Sequence, residues 1–314
     1  MMTLSDVANV LKSQDNIEIL THHYPDGDTL GSAYGLCIAL QNMGKNARVV
    51  LSGKCAKKFS YLLDGVRETS FTPEFIVSVD VAAKSLFGEN EELYSDKIDL
   101  CIDHHGSNTL GINDSYIDDT AAATAEIIFD LINVMGEKIT PQIANCLYTG
   151  VSTDTGCFMY TNTTSKTHQI AGELIDLGAD FGEINRKMFE TKTKEKIALE
   201  RMVYDTLDFY CEGKLAIIYT TIAMQDKLNL GDDEMEGLAS IPRQIEGVKM
   251  GITIREKKNK DFKISVRTNG DTDACEFCKR FGGGGHKAAS GCSIQGDLIT
   301  VKQTLIAAAE EIFL

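Results

Sequence analysis

Histidine and aspartate crowd into two short segments of this chain, His22-His23-Tyr24-Pro25-Asp26-Gly27-Asp28 and Asp103-His104-His105. Each follows directly on a short apolar run, Ile17–Leu20 in one case and Leu100–Ile102 in the other. Polar groups at strand ends stand where an open α/β sheet gathers its ligands. Two ionised carboxylates as close as Asp26 and Asp28 repel, and each is driven toward protonation unless a cation lies between them. Pro25 fixes one backbone angle and Gly27 permits an unusual one, so the segment predicts a tight turn that projects both aspartates with His22. One aspartate could cap a helix beginning near Thr29, but a cap does not require the pair plus a histidine. The chemistry these groups suit is binding of divalent metal.

Asp80 closes the apolar run Phe75–Val79, where a carboxylate is costly without a partner. Its two oxygens make it a natural bridge between two ions. Adjacent residues of an extended chain point to opposite sides, so His104 and His105 have different tasks, one ligating metal and the other facing substrate phosphate. Asp103 is placed to accept a hydrogen bond from a ligating imidazole and fix its tautomer. Asp154, just past an expected helix end, supplies one more carboxylate for two coordination spheres. A set of aspartates and histidines without thiolate favours Mn²⁺ or Mg²⁺ over structural zinc. Two such ions about 3.5–4 Å apart suit phosphoryl transfer to water.

A second kind of site is written near the C-terminus, in Gly282-Gly283-Gly284-Gly285-His286-Lys287 followed by Ala288-Ala289. Glycine-rich backbone can turn several N–H groups inward as an anion nest, and a helix starting after it would add a favourable dipole. Arg267, ending Ile264-Ser265-Val266, is a candidate bidentate phosphate clamp.

These residues need a scaffold, and the first half alternates strand and helix signals. Ile17–Thr21, Ala47–Leu51, Phe75–Asp80 and Asp99–Asp103 have strand length and apolarity. Leu30–Met43, closed by Gly44, and Ala121–Met135, capped by Asp119 or Thr120 and closed by Gly136, read as helices. Thr140-Pro141 starts another through Val151. The alternation predicts a largely parallel sheet with helices on both faces. Arg186–Asp208, rich in Lys, Glu and Met without Gly or Pro, predicts a long connecting helix. Strands at Lys214–Thr220, Val248–Arg255 and Phe262–Arg267 and a helix at Ile299–Phe313 form a smaller second unit.

At 314 residues, 43% hydrophobic and 25% charged, the chain can fill two cores. No apolar stretch is long enough for a membrane helix, and the N-terminus has neither a basic region nor a hydrophobic signal segment, so a cytoplasmic protein is expected. The net charge of −15 disfavours long nucleic acid, which binds through cationic neutralisation of phosphate. The nine scattered cysteines do not form a secretory disulfide framework; Cys37, Cys101 and Cys146 are expected as small core residues. Cys275 and Cys278 form a lone C-x-x-C without a second pair to complete a zinc site.

Taken in order, the motifs resemble those of the DHH phosphoesterase superfamily. His22-x-x-Pro25-Asp26-x-Asp28, Asp80, Asp103-His104-His105 and Asp154 match its N-terminal motifs, and Gly282–Gly285 with His286 matches the GGGH motif of the DHH-associated C-terminal domain of subfamily 1. The resemblance spans nearly the whole chain. It implies an α/β protein in which a parallel-sheet DHH domain (1–185) is joined by a helical linker (186–210) to a smaller α/β DHH-associated domain (211–314), with the active site in the cleft between them. By matching position, His22, Asp26 and Asp80 would hold one Mn²⁺; Asp28, Asp80, His104 and Asp154 would hold the other, with Mg²⁺ as a substitute. His105 would be catalytic beside the scissile phosphate with Asp103 in support, and Arg267, Gly283, Gly284, Gly285 and His286 would bind substrate. The implied activity is hydrolysis of short oligoribonucleotides and of 3′-phosphoadenosine 5′-phosphate (pAp), with cyclic di-AMP or pApA hydrolysis as the second reading. Inorganic pyrophosphatases of family II share the N-terminal motifs but lack GGGH, and a sensor without turnover would leave an intact ligand set idle. The expected partner is short RNA or a small nucleotide, with no long nucleic acid and no membrane; a homodimer is left open.

Overall fold

Ile17–Leu20, Ala47–Val50, Phe75–Val79, Leu100–Asp103 and Ser115–Ile117 are strands β1–β5 of one sheet, ordered β2-β1-β3-β4-β5 with every neighbouring pair parallel. Helices α1 (Leu4–Ser13), α2 (Gly27–Asn42), α3 (Glu91–Tyr94), α4 (Thr124–Met135), α5 (Pro141–Asp154), α6 (Ser165–Asp176) and α7 (Phe181–Asn185) accompany it. The strand order reverses between β1 and β3, so their carboxyl ends flank a topological switch point. The computed structural model describes residues 2–228, 235 and 237–313, and two units are distinguished in it, Met1–Thr191 and Lys192–Leu314.

Alternation along the strands sorts side chains between two clusters. Ile17, Ile19, Val77, Val79, Leu100 and Ile102 pack with residues of α1, α2, α4, α5 and α6. Leu20, Ile76 and Cys101 pack instead with Phe87, Ile98 and Leu110. Long helices therefore cover one face, not both as the alternation predicts. The β3–β4 connection carries Glu89, Asn90, Glu91 and Glu92 in succession after a break at Gly88 (φ +55°), so it covers the other face with a 3₁₀ turn at Lys84–Asn90 and the short α3.

The second unit contains α8 (Lys194–Tyr204), β6 (Asp208–Tyr210), β7 (Leu215–Thr220), α9 (Ile222–Leu228), β8 (Met250–Glu256), β9 (Asp261–Thr268), α10 (Ala274–Lys279), β10 (Gly284–His286), β11 (Ala289–Gln295) and α11 (Leu298–Phe313). Its sheet is ordered β10-β11-β9-β8-β7-β6, and only β7 and β8 pair in parallel. Ile217, Ile252, Ile264 and Val266 pack with Phe277 of α10 and Val301 and Leu305 of α11, while Ile218 packs with Leu199 and Val203 of α8.

The long helix expected over Arg186–Asp208 is interrupted. A π turn at Arg186–Glu190 ends at Thr191, which is extended (ψ 124°), and the Thr193 hydroxyl caps a new helix by accepting from the Lys196 N–H. Two threonines that favour extended and capping conformations break the run. The division between units falls at Thr191/Lys192, which groups α8 with the second unit. All nine cysteines are free, with Cys37, Cys101 and Cys146 buried. Among the described residues no helix is long and apolar enough to cross a membrane.

Candidate metal centre

The N-terminal candidates converge at the carboxyl end of the parallel sheet. His22 lies just beyond β1, Asp80 directly follows β3, Asp103 ends β4, and His104 and His105 come next. Asp26 is the N-cap of α2: its Oδ1 accepts from the N–H groups of Asp28 (3.0 Å) and Thr29 (3.1 Å). Asp28 sits in the first turn of α2, and Asp154 is the last residue of α5. Asp80 adopts φ +59°, a left-handed conformation that aspartate tolerates better than most residues and that marks functional positions.

Two His–Asp groups meet on Asp80. His22 Nε2 lies 3.6 Å from Asp26 Oδ1 and 3.8 Å from Asp80 Oδ2. His104 Nε2 lies 3.7 Å from Asp80 Oδ1, 3.6 Å from Asp154 Oδ2 and 3.9 Å from Asp28 Oδ2. In each of the triads His22–Asp26–Asp80, Asp28–His104–Asp154 and Asp80–His104–His105, candidate ligand atoms lie within 4.8 Å of one another. One oxygen of Asp80 thus faces His22 and the other faces His104.

Tautomers separate the two imidazoles of the triplet. His104 Nδ1 is 3.1 Å from the Ala121 carbonyl, which can only accept, so Nδ1 carries a proton and Nε2 is the nitrogen turned toward the cluster as a candidate ligand. His105 Nδ1 is 2.8 Å from Asp103 Oδ1, leaving Nε2 to present outward. Asp103 therefore holds His105, while a backbone carbonyl performs for His104 the task expected of Asp103. The same Asp103 oxygen accepts from the N–H groups of His104 (2.8 Å) and His105 (3.2 Å).

The electrostatics fit a cation site. Burial, then the charges of Asp28, Asp26, Asp103 and Asp154, holds the Asp80 carboxyl well above the usual range; its exposure is only 3%. Burial and the charges of Asp28 and Asp26 push Asp154 up to about 8. Asp28 is raised as well, chiefly by burial. Asp103 moves the other way, because its bond to His105 and the donation from Asn108 outweigh burial. That bond to Asp103 raises His105 against the effect of burial. Asp26, expected to be driven toward protonation, is instead lowered, because His22 and the N–H groups of Thr29 and Asp28 outweigh its burial. Asp28, Asp80 and Asp154, forced together with raised proton affinity beside an imidazole nitrogen, are a donor set suited to divalent cations.

Several supports were not visible in the sequence. Asp28 caps α4, its Oδ2 accepting from the Thr124 N–H (2.7 Å) and its Oδ1 from the Ala125 N–H (2.9 Å). The helix starts at Thr124, so Asp119 and Thr120 do not cap it; the loop before it swings the Ala121 carbonyl onto His104 instead. Thr124 Oγ1 also donates to Asp80 Oδ1 (2.9 Å). Gly150 of α5 makes the approach possible: a Cβ there would lie 2.5 Å from the Ala125 Cβ and 2.8 Å from Asp28 Oδ1. Asn108 Nδ2 donates to Asp103 Oδ2 (2.6 Å) and to the Val81 carbonyl (3.1 Å), tying the loop after β4 to the loop after β3. A polar residue soon after the triplet is the only sequence hint of that clamp.

The second unit holds the remaining candidates. Gly284–His286 is not a loop leading into a helix but strand β10, joined to β11 through Lys287-Ala288. The small residues after His286 pair in a hairpin, so the helix dipole expected at this point is absent. Gly283 must lack a side chain, since a Cβ would lie 2.5 Å from the Cys292 Cβ. Gly285 has φ +142° and lies against the Ala289 carbonyl and Ser290, whereas Gly284 has open space. His286 and Arg267 both register with Ala289, placing them in one row across β10, β11 and β9.

Fold and motif together define a DHH-type phosphoesterase architecture. Residues 16–151 match the DHH family, N-terminal domain, and residues 214–313 match the DHHA1 domain. The chain belongs to the DHH family. It is 31% identical to the bifunctional oligoribonuclease and PAP phosphatase NrnA of Thermus thermophilus, over 97% of this chain and 93% of that protein. It is likewise 31% identical to the probable enzyme of that name from Streptococcus mutans, over 93% of this chain and 94% of that protein. The crystal structure of an exopolyphosphatase-related protein from Bacteroides fragilis superimposes with a TM-score of 0.89 at 25% identity, covering 99% of this chain and 97% of that one.

Proposed function

We propose that this chain is a divalent-metal phosphoesterase that hydrolyses short oligoribonucleotides and pAp. The observation that carries the reading is Asp80, whose two oxygens face two separate His–Asp groups. The names of the NrnA relatives, matched over nearly the full chain, support the substrate class.

His22, Asp26 and Asp80 would hold one ion, and Asp28, Asp80, His104 and Asp154 the other, with Mn²⁺ preferred over Mg²⁺. Bound there, the pair would supply hydroxide at neutral pH and polarise the phosphoryl oxygens. The remaining groups act on the substrate. Asp103 holds His105 Nδ1–H and favours its protonated form, so Nε2 can donate to a phosphoryl or leaving oxygen. The Ala121 carbonyl accepts from His104 Nδ1–H, which selects the tautomer whose Nε2 carries the lone pair a metal would take. Arg267 and the row containing His286 and Ala289 supply a phosphate grip on the second unit, with the backbone of Gly283, Gly284 and Gly285 beside them. The acidic exterior disfavours long strands, and no role at a membrane is assigned.

A product-resolved assay with Mn²⁺ tests the reading, using pAp, RNA dimers to hexamers, pApA, cyclic di-AMP and pyrophosphate. AMP from pAp and mononucleotides from the short RNAs are expected. Turnover of cyclic di-AMP or pApA alone would replace the substrate assignment, and turnover of pyrophosphate alone would move the chain to another activity.

A further inference from the structure

Between His22 and Asp26 stands an aromatic ring that the metal centre does not use. Tyr24 is 80% exposed, and its hydroxyl has no hydrogen-bond partner among the described residues. Aromatic side chains usually bury most of their large apolar surface, so an open ring beside a catalytic cluster needs a reason.

The backbone beneath it is held firmly. His23 N–H donates to the Leu86 carbonyl (2.6 Å), and His23 Nδ1 lies 2.8 Å from the Ser52 carbonyl. Gly53 and Gly88 crowd His23 so closely that a Cβ on either would collide with its carbonyl or its ring. The His23 ring meets the Tyr24 ring edge-on, with centroids 4.5 Å apart. On the other side Pro25 restricts the backbone of Tyr24 to extended conformations. With the backbone so fixed, only rotation of the side chain is left to be lost when something stacks on the ring.

We propose that Tyr24 is a stacking platform for the nucleobase of the nucleotide whose phosphate occupies the metal centre. The inference rests on the nucleotide-phosphoesterase reading and assigns the base contact to the N-terminal unit. Tyr24 stands in the turn between His22 and Asp26, two residues from each, so the chain itself tethers the ring next to two members of the cluster. A flat, neutral ring takes any base and takes purines most strongly, which suits an enzyme acting on short RNA of any sequence.

Calorimetric binding of AMP and of ribose 5-phosphate to the Mn²⁺-loaded full chain tests this without requiring turnover. The wild type should bind AMP more tightly than ribose 5-phosphate. Tyr24→Ala should weaken AMP at least about fivefold and leave ribose 5-phosphate unchanged, and Tyr24→Phe should restore AMP binding. Unchanged AMP affinity in Tyr24→Ala, or equal weakening of both ligands, would overturn the platform. A wild type that binds AMP through Tyr24 but hydrolyses neither pAp nor short RNA would overturn the proposed activity while supporting the platform.

Discussion

Asp80→Asn should make the metal-free protein more stable while abolishing its activity. The change removes one negative charge and keeps side-chain volume, an acceptor for the Thr124 hydroxyl and tolerance for φ +59°. Candidate ligand atoms of Asp80 and Asp26 lie within 4.8 Å. At that separation two unit charges repel by about 0.9 kcal/mol in water and about 3.5 kcal/mol at an effective dielectric of 20. Relief of about 2 kcal/mol would raise the melting temperature of a unit this size by about 4–8 °C. The sign with pH follows from the raised carboxyl. A group whose folded pKa exceeds its unfolded value stabilises the fold below the unfolded pKa, and that contribution is lost as pH rises through the folded value. The advantage of the Asn variant should therefore be larger at pH 8 than at pH 5. Thermal unfolding by circular dichroism in chelator at both pH values measures it, with phosphodiester hydrolysis under Mn²⁺ in parallel. Activity should fall by about 10³-fold, since loss of a bridging ligand removes several kcal/mol of charge stabilisation. A variant less stable than wild type at pH 8, or one that still turns over, would refute the picture of carboxylates held against their mutual repulsion.

Metal binding should release protons at neutral pH, because Asp154, pushed up to about 8, must ionise to ligate. Calorimetric Mn²⁺ binding should then depend on the buffer's ionisation enthalpy and tighten from pH 6 to 8; buffer-independent heats would contradict this. Asn108→Ala leaves Asp103 Oδ2 without its donor, which should lower stability by about 1–3 kcal/mol and kcat about 10- to 100-fold with KM little changed. Denaturant unfolding and steady-state kinetics check both numbers. Arg267→Ala should raise KM for pAp about tenfold or more and spare kcat, as loss of a charge-assisted phosphate contact predicts; an unchanged KM removes Arg267 from the site.

The convergence of these side chains was legible because they violate the pattern around them. Asp80 and Asp103 end apolar strands, and no packing argument accounts for carboxylates there together with three nearby histidines. Strand positions followed from the same apolar runs. What the sequence hid depends on contacts distant along the chain. Asp28 capping α4, Ala121 setting the tautomer of His104 and Gly150 admitting Asp28 are tertiary events without local signature. Local signals also misled. Two threonines outweighed the helix-forming composition of Arg186–Asp208, and alanines after Gly-rich backbone suggested a helix where strand pairing prevails.

The most direct test of a binuclear centre bridged by Asp80 is a Mn²⁺ titration followed by electron paramagnetic resonance. Two ions per chain are predicted, with an exchange-coupled spectrum at saturation that Asp80→Asn replaces with the six-line pattern of isolated Mn²⁺. A single ion per chain, or an uncoupled six-line spectrum from the saturated wild type, would contradict the account.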